Sequence, residues 1–312
     1  MTNDSSINSS ASVLALGAAL SADDTHTAAK RPPRRVRRAM ASRRPPRVFY
    51  TMGPKGGIGK SFVCRALLDL LRTLGVAVRA VQVDRGTSLT AVYPELTTTV
   101  HVPSADEMRT NPLAAISAFG PLEAALEACI TDGADLVVDV GAAQNARVFL
   151  EFIAKTRFDV YLASHKIRPV ALVLITAEPS AMAQSADLAE ILATVHPTAE
   201  IVVAQNMRDG DFSFRPGTQA RRIWSERVEP IFADRRRLII PAMATGAWPY
   251  FEGHALTFRQ IVEADERDLA TRLDESRAIA AALRGDVSEW LDAVWTGLAP
   301  LVDETMGGAD AR

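Results

Sequence analysis

Residues 47–62 read RVFYTMGPKGGIGKSF, and this stretch decides the fold. Val48 to Met52 is a short apolar run with the pattern of a buried strand. It enters a glycine-rich turn and leaves into residues 61–71, SFVCRALLDLL, whose apolar positions recur at helical spacing. Strand, glycine turn, Gly-Lys-Ser and helix together make a phosphate-binding loop. Gly56, Gly57 and Gly59 let the backbone curl so that its N–H groups face an anion, and the helix N-terminus adds positive potential. Lys60 is placed to reach β- and γ-phosphates, and the Ser61 hydroxyl to ligate Mg²⁺. Pro54 stands where the general G-x-x-x-x-G-K-[ST] pattern has its first glycine. Lacking an N–H, it cannot donate to phosphate.

The chain has 312 residues, enough for one α/β domain of about 250 residues plus tails. Hydrophobic residues make up 48% and charged ones 23%, the proportions of a soluble globular protein. Cys64 and Cys129 stand far apart in apolar helical patterns, with no C-x-x-C and no disulfide framework. That usage points to a reducing, cytoplasmic setting and away from iron–sulfur chemistry. No run approaches the roughly 18 apolar residues of a membrane span. Val13 to Leu20 is apolar, but nothing basic precedes it and Asp23 and Asp24 follow, which argues against a secretory signal.

Downstream, strands and helices alternate. Strands are expected at 76–84, 98–102, 135–140, 170–176, 200–205 and 238–240. Helices are expected at about 60–74, 112–130, 145–155, 180–195 and 217–228, with two or three more towards the C-terminus. Near the end, Val287, Trp290, Leu291, Val294, Trp295 and Leu298 recur at helical spacing, as in a helix packed on the sheet or on a dimer face. This alternation predicts an α/β fold with a mostly parallel sheet covered by helices on both faces. Ligands of such sheets sit beyond the strand C-termini. Residues 1–46 are Ser/Asn/Ala-rich and then Arg/Pro-rich, and are expected to be disordered. Residues 47–302 form the expected ATPase domain, and 303–312 an acidic flexible tail.

Lys55 to Ser61, KGGIGKS, resembles the deviant Walker A motif of the ParA/MinD family of ATPases, K-G-G-x-G-K-[ST]. The resemblance covers about residues 47–245 and implies a P-loop NTPase binding ATP and Mg²⁺ through Lys55, Gly56, Gly57, Ile58, Gly59, Lys60, Ser61 and Phe62. It implies an ATP-sandwiched homodimer in which Lys55 reaches the partner's phosphates. The family pattern D-x-D-P-Q-x-N-x-T is matched at Asp84, Ser88, Leu89 and Thr90, with Gln82 for the first aspartate and Arg85-Gly86 for Pro-Gln. By resemblance, Asp84 orients the attacking water. Asp139 ends an apolar strand, where a buried carboxylate needs a cation partner. Mg²⁺, held through water as in a Walker B site, would supply it. Gly141 would then offer its N–H to the γ-phosphate. The resemblance places Asn206 against the adenine and the Ile240-Pro241 segment near the base. The surroundings of Asp84 and Asp139 look most like the plasmid stability and conjugal-transfer (StbB/TraL-like) branch.

Net charge is −2, but residues 30–47 alone carry nine cations and no acid. With the three acids of residues 1–29 set aside, the rest of the chain is net −8. A basic arm of this kind suits the phosphates of DNA, with an acidic membrane surface as the competing ligand. Its prolines prevent an amphipathic helix. Arg221, Arg222, Arg227, Arg235, Arg236 and Arg237 are further candidates for non-specific DNA contact, or a solvated face. The acidic C-terminus does not resemble the basic membrane anchor of MinD-like proteins. The expected function is an ATP-dependent dimerisation switch, reset by slow hydrolysis, that positions or segregates DNA with an unidentified partner protein. The alternatives are a metabolic ATP-dependent ligase of the same fold and a nucleotide-gated adaptor with little turnover. No substrate-pocket motif for the ligase is present.

Overall fold

Seven strands form one sheet in the computed structural model, which describes residues 44–302 apart from 85, 87 and 245. The expected disordered segment 1–46, but for its last three residues, and the tail 303–312 lie outside the described residues. The strands are β1 (Arg47–Met52), β2 (Val78–Val83), β3 (Thr97–Val100), β4 (Asp135–Val140), β5 (Arg168–Thr176), β6 (Glu200–Asn206) and β7 (Arg237–Ile240). Their order is β3-β2-β4-β1-β5-β6-β7 and every pairing is parallel. Because both faces are covered, the central strands are buried without alternation: all six residues of β1 and of β4 are buried. The edge strands β3 and β7 expose some of their residues, including Ile239.

Five longer helices cover the sheet: α1 (Lys60–Thr73), α2 (Gly120–Asp132), α3 (Gln144–Thr156), α4 (Pro179–Val195) and α5 (Arg277–Val302). On one face α1 and α5 share a core with Phe49, Val137 and Leu172. On the other, α2, α3 and α4 bury Tyr50, Val138 and Val173. Leu67 on α1 is fully buried, and truncating such a side chain costs about 2–5 kcal/mol. The chain leaves β1 outward in both directions, to β2 and β3 on one side and to β5, β6 and β7 on the other. The crevice between these diverging connections opens where the loop 53–59 sits.

The fold class expected from the sequence is the one observed, with local differences. The expected helix at 112–130 is broken: Ala114–Ser117 and α2 are separate, and an unforeseen helix, Ala105–Thr110, precedes them with a Ser104–Glu107 capping box. Another unforeseen helix, Phe158–Ser164, follows α3. The expected helix at 217–228 changes pitch at Trp224, where residues Trp224–Val228 widen into a π-turn. Contrary to the sequence expectation, Ala114–Asp132 is long and apolar enough, by length and composition, to cross a membrane. In the fold it is broken between its two helices, and Leu122, Leu126 and Cys129 enter the core.

The basic arm also needs correcting at its C-terminal end. Arg44 donates to both carboxylate oxygens of Asp135, at 3.0 and 2.6 Å. Arg47 is 2% exposed and donates to Asp135 and to the Leu301 and Val302 carbonyls that end α5. These two cations anchor the start of β1 to the fold. The seven from Lys30 to Arg43 lie outside the described residues.

Candidate phosphate-binding site

β1 delivers Gly53 to Gly59 into a loop that wraps over the N-terminus of α1. Gly59 is the residue before the helix and has φ 96°, which disfavours a side chain. A Cβ there would also lie 2.4 Å from the Asn206 Nδ2. The N–H groups of Gly56 to Ser61 donate to no acceptor among the described residues. Unpaired N–H groups converging at a helix N-terminus form an anion cradle.

Two lysines bracket the loop in different ways. Lys60 is 7% exposed and folds back to donate to the Lys55 carbonyl at 2.7 Å. Burial lowers its pKa, against the pull of Asp139 and Asp84. Lys55 points outward and is paired with Glu178 at 2.8 Å, with Ser180 Oγ at 3.3 Å. Glu178 also caps α4 by accepting the N–H groups of Ser180 and Ala181. Hydrogen bonds from Lys55 and Ser180 hold its carboxyl down at about 2.

At the floor of the cradle, Asp139 is the last residue but one of β4 and is 4% exposed. It accepts from Ser61 Oγ at 2.6 Å and from Thr51 Oγ1 at 3.1 Å. Parallel register places Thr51 directly beside it. Burial raises its pKa, although both hydroxyls and Lys60 favour its charge. A buried carboxylate whose charge is under-compensated, beside a hydroxyl at the mouth of an anion cradle, fits a hard dication such as Mg²⁺.

The remaining expected residues are arranged less simply. Asp84 follows β2 and accepts from Asn145 Nδ2 at 3.3 Å, which ties it to the first turn of α3. Gln82, standing for the family's first aspartate, is fully buried and braces its own loop. Its Nε2 donates to the Gly86 carbonyl, and its Oε1 accepts from the Leu89 N–H at 2.8 Å. The Gly141 N–H, expected to face a γ-phosphate, instead donates to the Val83 carbonyl at 2.9 Å and extends the β2–β4 ladder. A Cβ at Gly141 would lie 2.7 Å from that same carbonyl. The glycine is therefore required here for strand approach. Asn206, expected at the adenine, donates to the Ile58 carbonyl at 2.9 Å and accepts from the Arg208 N–H at 3.1 Å, latching β6 to the loop. The Phe62 ring turns away into an aromatic layer with Trp248, 4.4 Å between centroids, and Phe258 and Trp290.

Sequence reasoning missed Thr51, Asn145, Glu178, Ser180 and Arg208, whose guanidinium donates to the Gly57 carbonyl. Only Thr51 carried a local signal, as the single aliphatic hydroxyl in β1. Of the candidate DNA-binding arginines, Arg227 is paired with Asp187, Arg236 with Glu200, and Arg235 donates to the Ile231 carbonyl. Arg221, Arg222 and Arg237 are exposed.

No family model matches the chain, and no curated protein matches it by sequence. Among solved structures it is similar to a chain of the MinC:MinD cell division protein complex of Aquifex aeolicus, at 11% identity and a TM-score of 0.44, over 85% of this chain and 98% of that one. A plasmid partition protein from Borrelia burgdorferi aligns at 13% identity and a TM-score of 0.38, over 64% of this chain and 90% of that one. Chloroplast FtsY from Physcomitrella patens aligns at 12% identity and a TM-score of 0.41, over 64% of this chain. The chain spans 59% of that protein's length. At such scores these likenesses assign no activity to the chain.

Proposed function

We propose that the chain is a Mg²⁺-dependent ATPase whose ATP state is a homodimer that positions or segregates DNA, of the kind found among ParA/MinD ATPases and their plasmid stability and conjugal-transfer (StbB/TraL-like) branch. The observation that carries this reading is the joined set Lys60, Ser61 and Asp139 beneath an open row of loop N–H groups. ATP phosphates would take the N–H groups and the Lys60 ammonium, and Mg²⁺ would be held by Ser61 and, through water, by Asp139. The metal supplies charge neutralisation for phosphoryl transfer. The chain's own residues position the phosphates, and Asp84, steadied by Asn145, orients a water.

The two lysines give the test. Lys60→Ala should lower ATP affinity by at least about 100-fold in isothermal titration, the scale of a lost charge-assisted contact. Lys55→Ala should bind ATP within a few-fold of the parent yet stay monomeric by light scattering, because Lys55 would act across the interface after leaving Glu178. An ATP dimer that persists in Lys55→Ala refutes the sandwich.

A second reading, a nucleotide-gated adaptor with little turnover, is favoured by Gln82. Its amide is occupied within its own loop and supplies no carboxylate. Steady-state turnover far below one per minute, with tight ATP binding and no stimulation by DNA, would select it.

A further inference from the structure

Parallel register sets Gln82, Asp139, Thr51 and Leu172 side by side across β2, β4, β1 and β5. Three of the four are polar, and all are buried. Two residues earlier on the same face, the row is Ala80, Val137, Phe49 and Val170, without a polar group. Polarity therefore enters the interior of the sheet at one level, directly below Ser61 in the first turn of α1. Buried polar groups persist where they are paired. Gln82 spends its amide within its own loop, on the Gly86 carbonyl and the Leu89 N–H. Of the row, Thr51 alone gives its hydrogen bond to Asp139.

A threonine hydroxyl has one proton. Here it goes to Asp139 Oδ1 at 3.1 Å, while the buried Cys64 thiol of α1 is hydrogen-bonded to the same hydroxyl. Ser61 Oγ donates to the other carboxylate oxygen, Oδ2, at 2.6 Å. Each oxygen of Asp139 thus accepts a proton from a hydroxyl, one held by β1 and one by α1. The two hydroxyls are not equivalent. Ser61 stands at the partly exposed mouth of the cradle, where its oxygen keeps lone pairs for a cation. Thr51 is fully buried within the sheet and acts only through Asp139.

That difference bears on which cation the site takes. A carboxylate held at both oxygens does not turn to clasp an ion with the pair of them, and it meets a hydrated ion through water. Mg²⁺ suits this arrangement, because it gives up its waters reluctantly and demands octahedral geometry. Ca²⁺ favours direct carboxylate ligation, often through both oxygens, in a flexible shell. Groups behind a metal-holding side chain typically shift metal affinity by about 10–100-fold.

We propose that Thr51 is a positioning residue that, by holding Asp139 at Oδ1, makes the site prefer Mg²⁺ to Ca²⁺. The inference rests on the nucleotide-site reading given above. Its test is ATP affinity of the full chain by isothermal titration, with Mg²⁺, with Ca²⁺ and with both chelated. Thr51→Val keeps the branched shape and removes the donor. It should narrow the preference for Mg²⁺ over Ca²⁺ by about tenfold, chiefly through weaker binding with Mg²⁺, and leave the metal-free affinity unchanged. Thr51→Ser keeps the hydroxyl and should retain the parent's preference. Thr51→Cys, whose thiol donates weakly, should shift it in the same direction as valine and serves if the valine variant does not fold. Equal losses with both cations, or a loss that persists without metal, would overturn the inference, since Thr51 would then only support the loop. A serine variant that loses the preference would overturn it too, by assigning the effect to the methyl group. A parent that binds ATP equally well with either cation, or a preference unchanged in Thr51→Val, would overturn the inference and leave the nucleotide site standing. A parent indifferent to the presence of any divalent cation would overturn both.

Discussion

The two ends of the phosphate-binding loop hold their charges in opposite ways. At the floor, Asp139 and Lys60 are 4% and 7% exposed, and the carboxylate is fixed by two hydroxyls on different elements. At the rim, Lys55 and Glu178 are paired at 2.8 Å while their side chains remain 50% and 40% exposed. Burial is the largest influence on both groups of the first pair, lowering the Lys60 pKa and raising that of Asp139 against their mutual attraction. Water screens the second, so that contact can be exchanged at small cost. A floor of desolvated charges and a rim whose lysine can change partners are the physical basis of the proposed switch.

The comparison breaks most sharply at the floor. Asp139→Asn keeps the size of the side chain and one acceptor oxygen but removes the charge, and one of the Thr51 and Ser61 hydroxyls must then accept from the amide instead of donating. We expect Mg²⁺-dependent ATP affinity to fall about 100-fold, with Mg²⁺-free binding little changed, as titration with and without the metal would show. An equal loss in both conditions would mean that Asp139 supports the loop and holds no cation.

A second buried carboxylate, on α1, separates burial from function. Asp69 is 1% exposed, accepts from the Arg259 N–H at 3.1 Å, and is pushed up by burial to about 6. Here the folded state holds the proton more tightly than the unfolded chain, so stability falls as pH rises from about 4 to about 6 and stays lower above that. Asp69→Asn should therefore stabilise the protein at pH 7.5, by up to about 3 kcal/mol, and have little effect near pH 4. Urea melts at the two pH values would show it. ATP affinity should not move, whereas Asp139→Asn moves affinity. If Asp69→Asn also weakened ATP binding, burial alone would explain the Asp139 result.

Much of this contrast had no signature in the chain. Asp135–Val140 was legible to the residue because the apolar Leu136 to Val138, then Asp139 and Val140, lead straight into Gly141, and Lys60 and Ser61 were legible because loop, strand and helix are contiguous. Glu178 was not, since its partner Lys55 is 123 residues away and no periodicity records that separation. The resemblance placed Asn206 against the adenine, and nothing local foretold its latch to the Ile58 carbonyl, which exists only after the sheet places β6 two strands from β1. The breaks near residue 118 and at Trp224 were hidden for another reason. Helical periodicity survives a change of pitch or a one-turn interruption, so pattern alone does not locate it.

The smallest expected effect is at the rim. Glu178→Gln keeps an oxygen to cap α4 but removes the charge facing Lys55. The Glu178 carboxyl lies below its ordinary value of 4.5, at about 2, so the pair contributes stability above pH 4.5 and loses it as pH falls towards 2. Taken at face value that shift would be a large energy, but both partners are largely solvated, and exposed pairs yield about 0–1 kcal/mol. The variant should therefore lose less than about 1 kcal/mol at pH 7, and the loss should vanish in 1 M salt, where the screening length is about 3 Å. ATP affinity should be unchanged, while the ATP-dependent association proposed above should need less ATP, because Lys55 no longer has to leave a carboxylate. A loss of several kcal/mol that survives high salt would show that the rim pair is part of the fold's support, and the contrast between floor and rim would collapse.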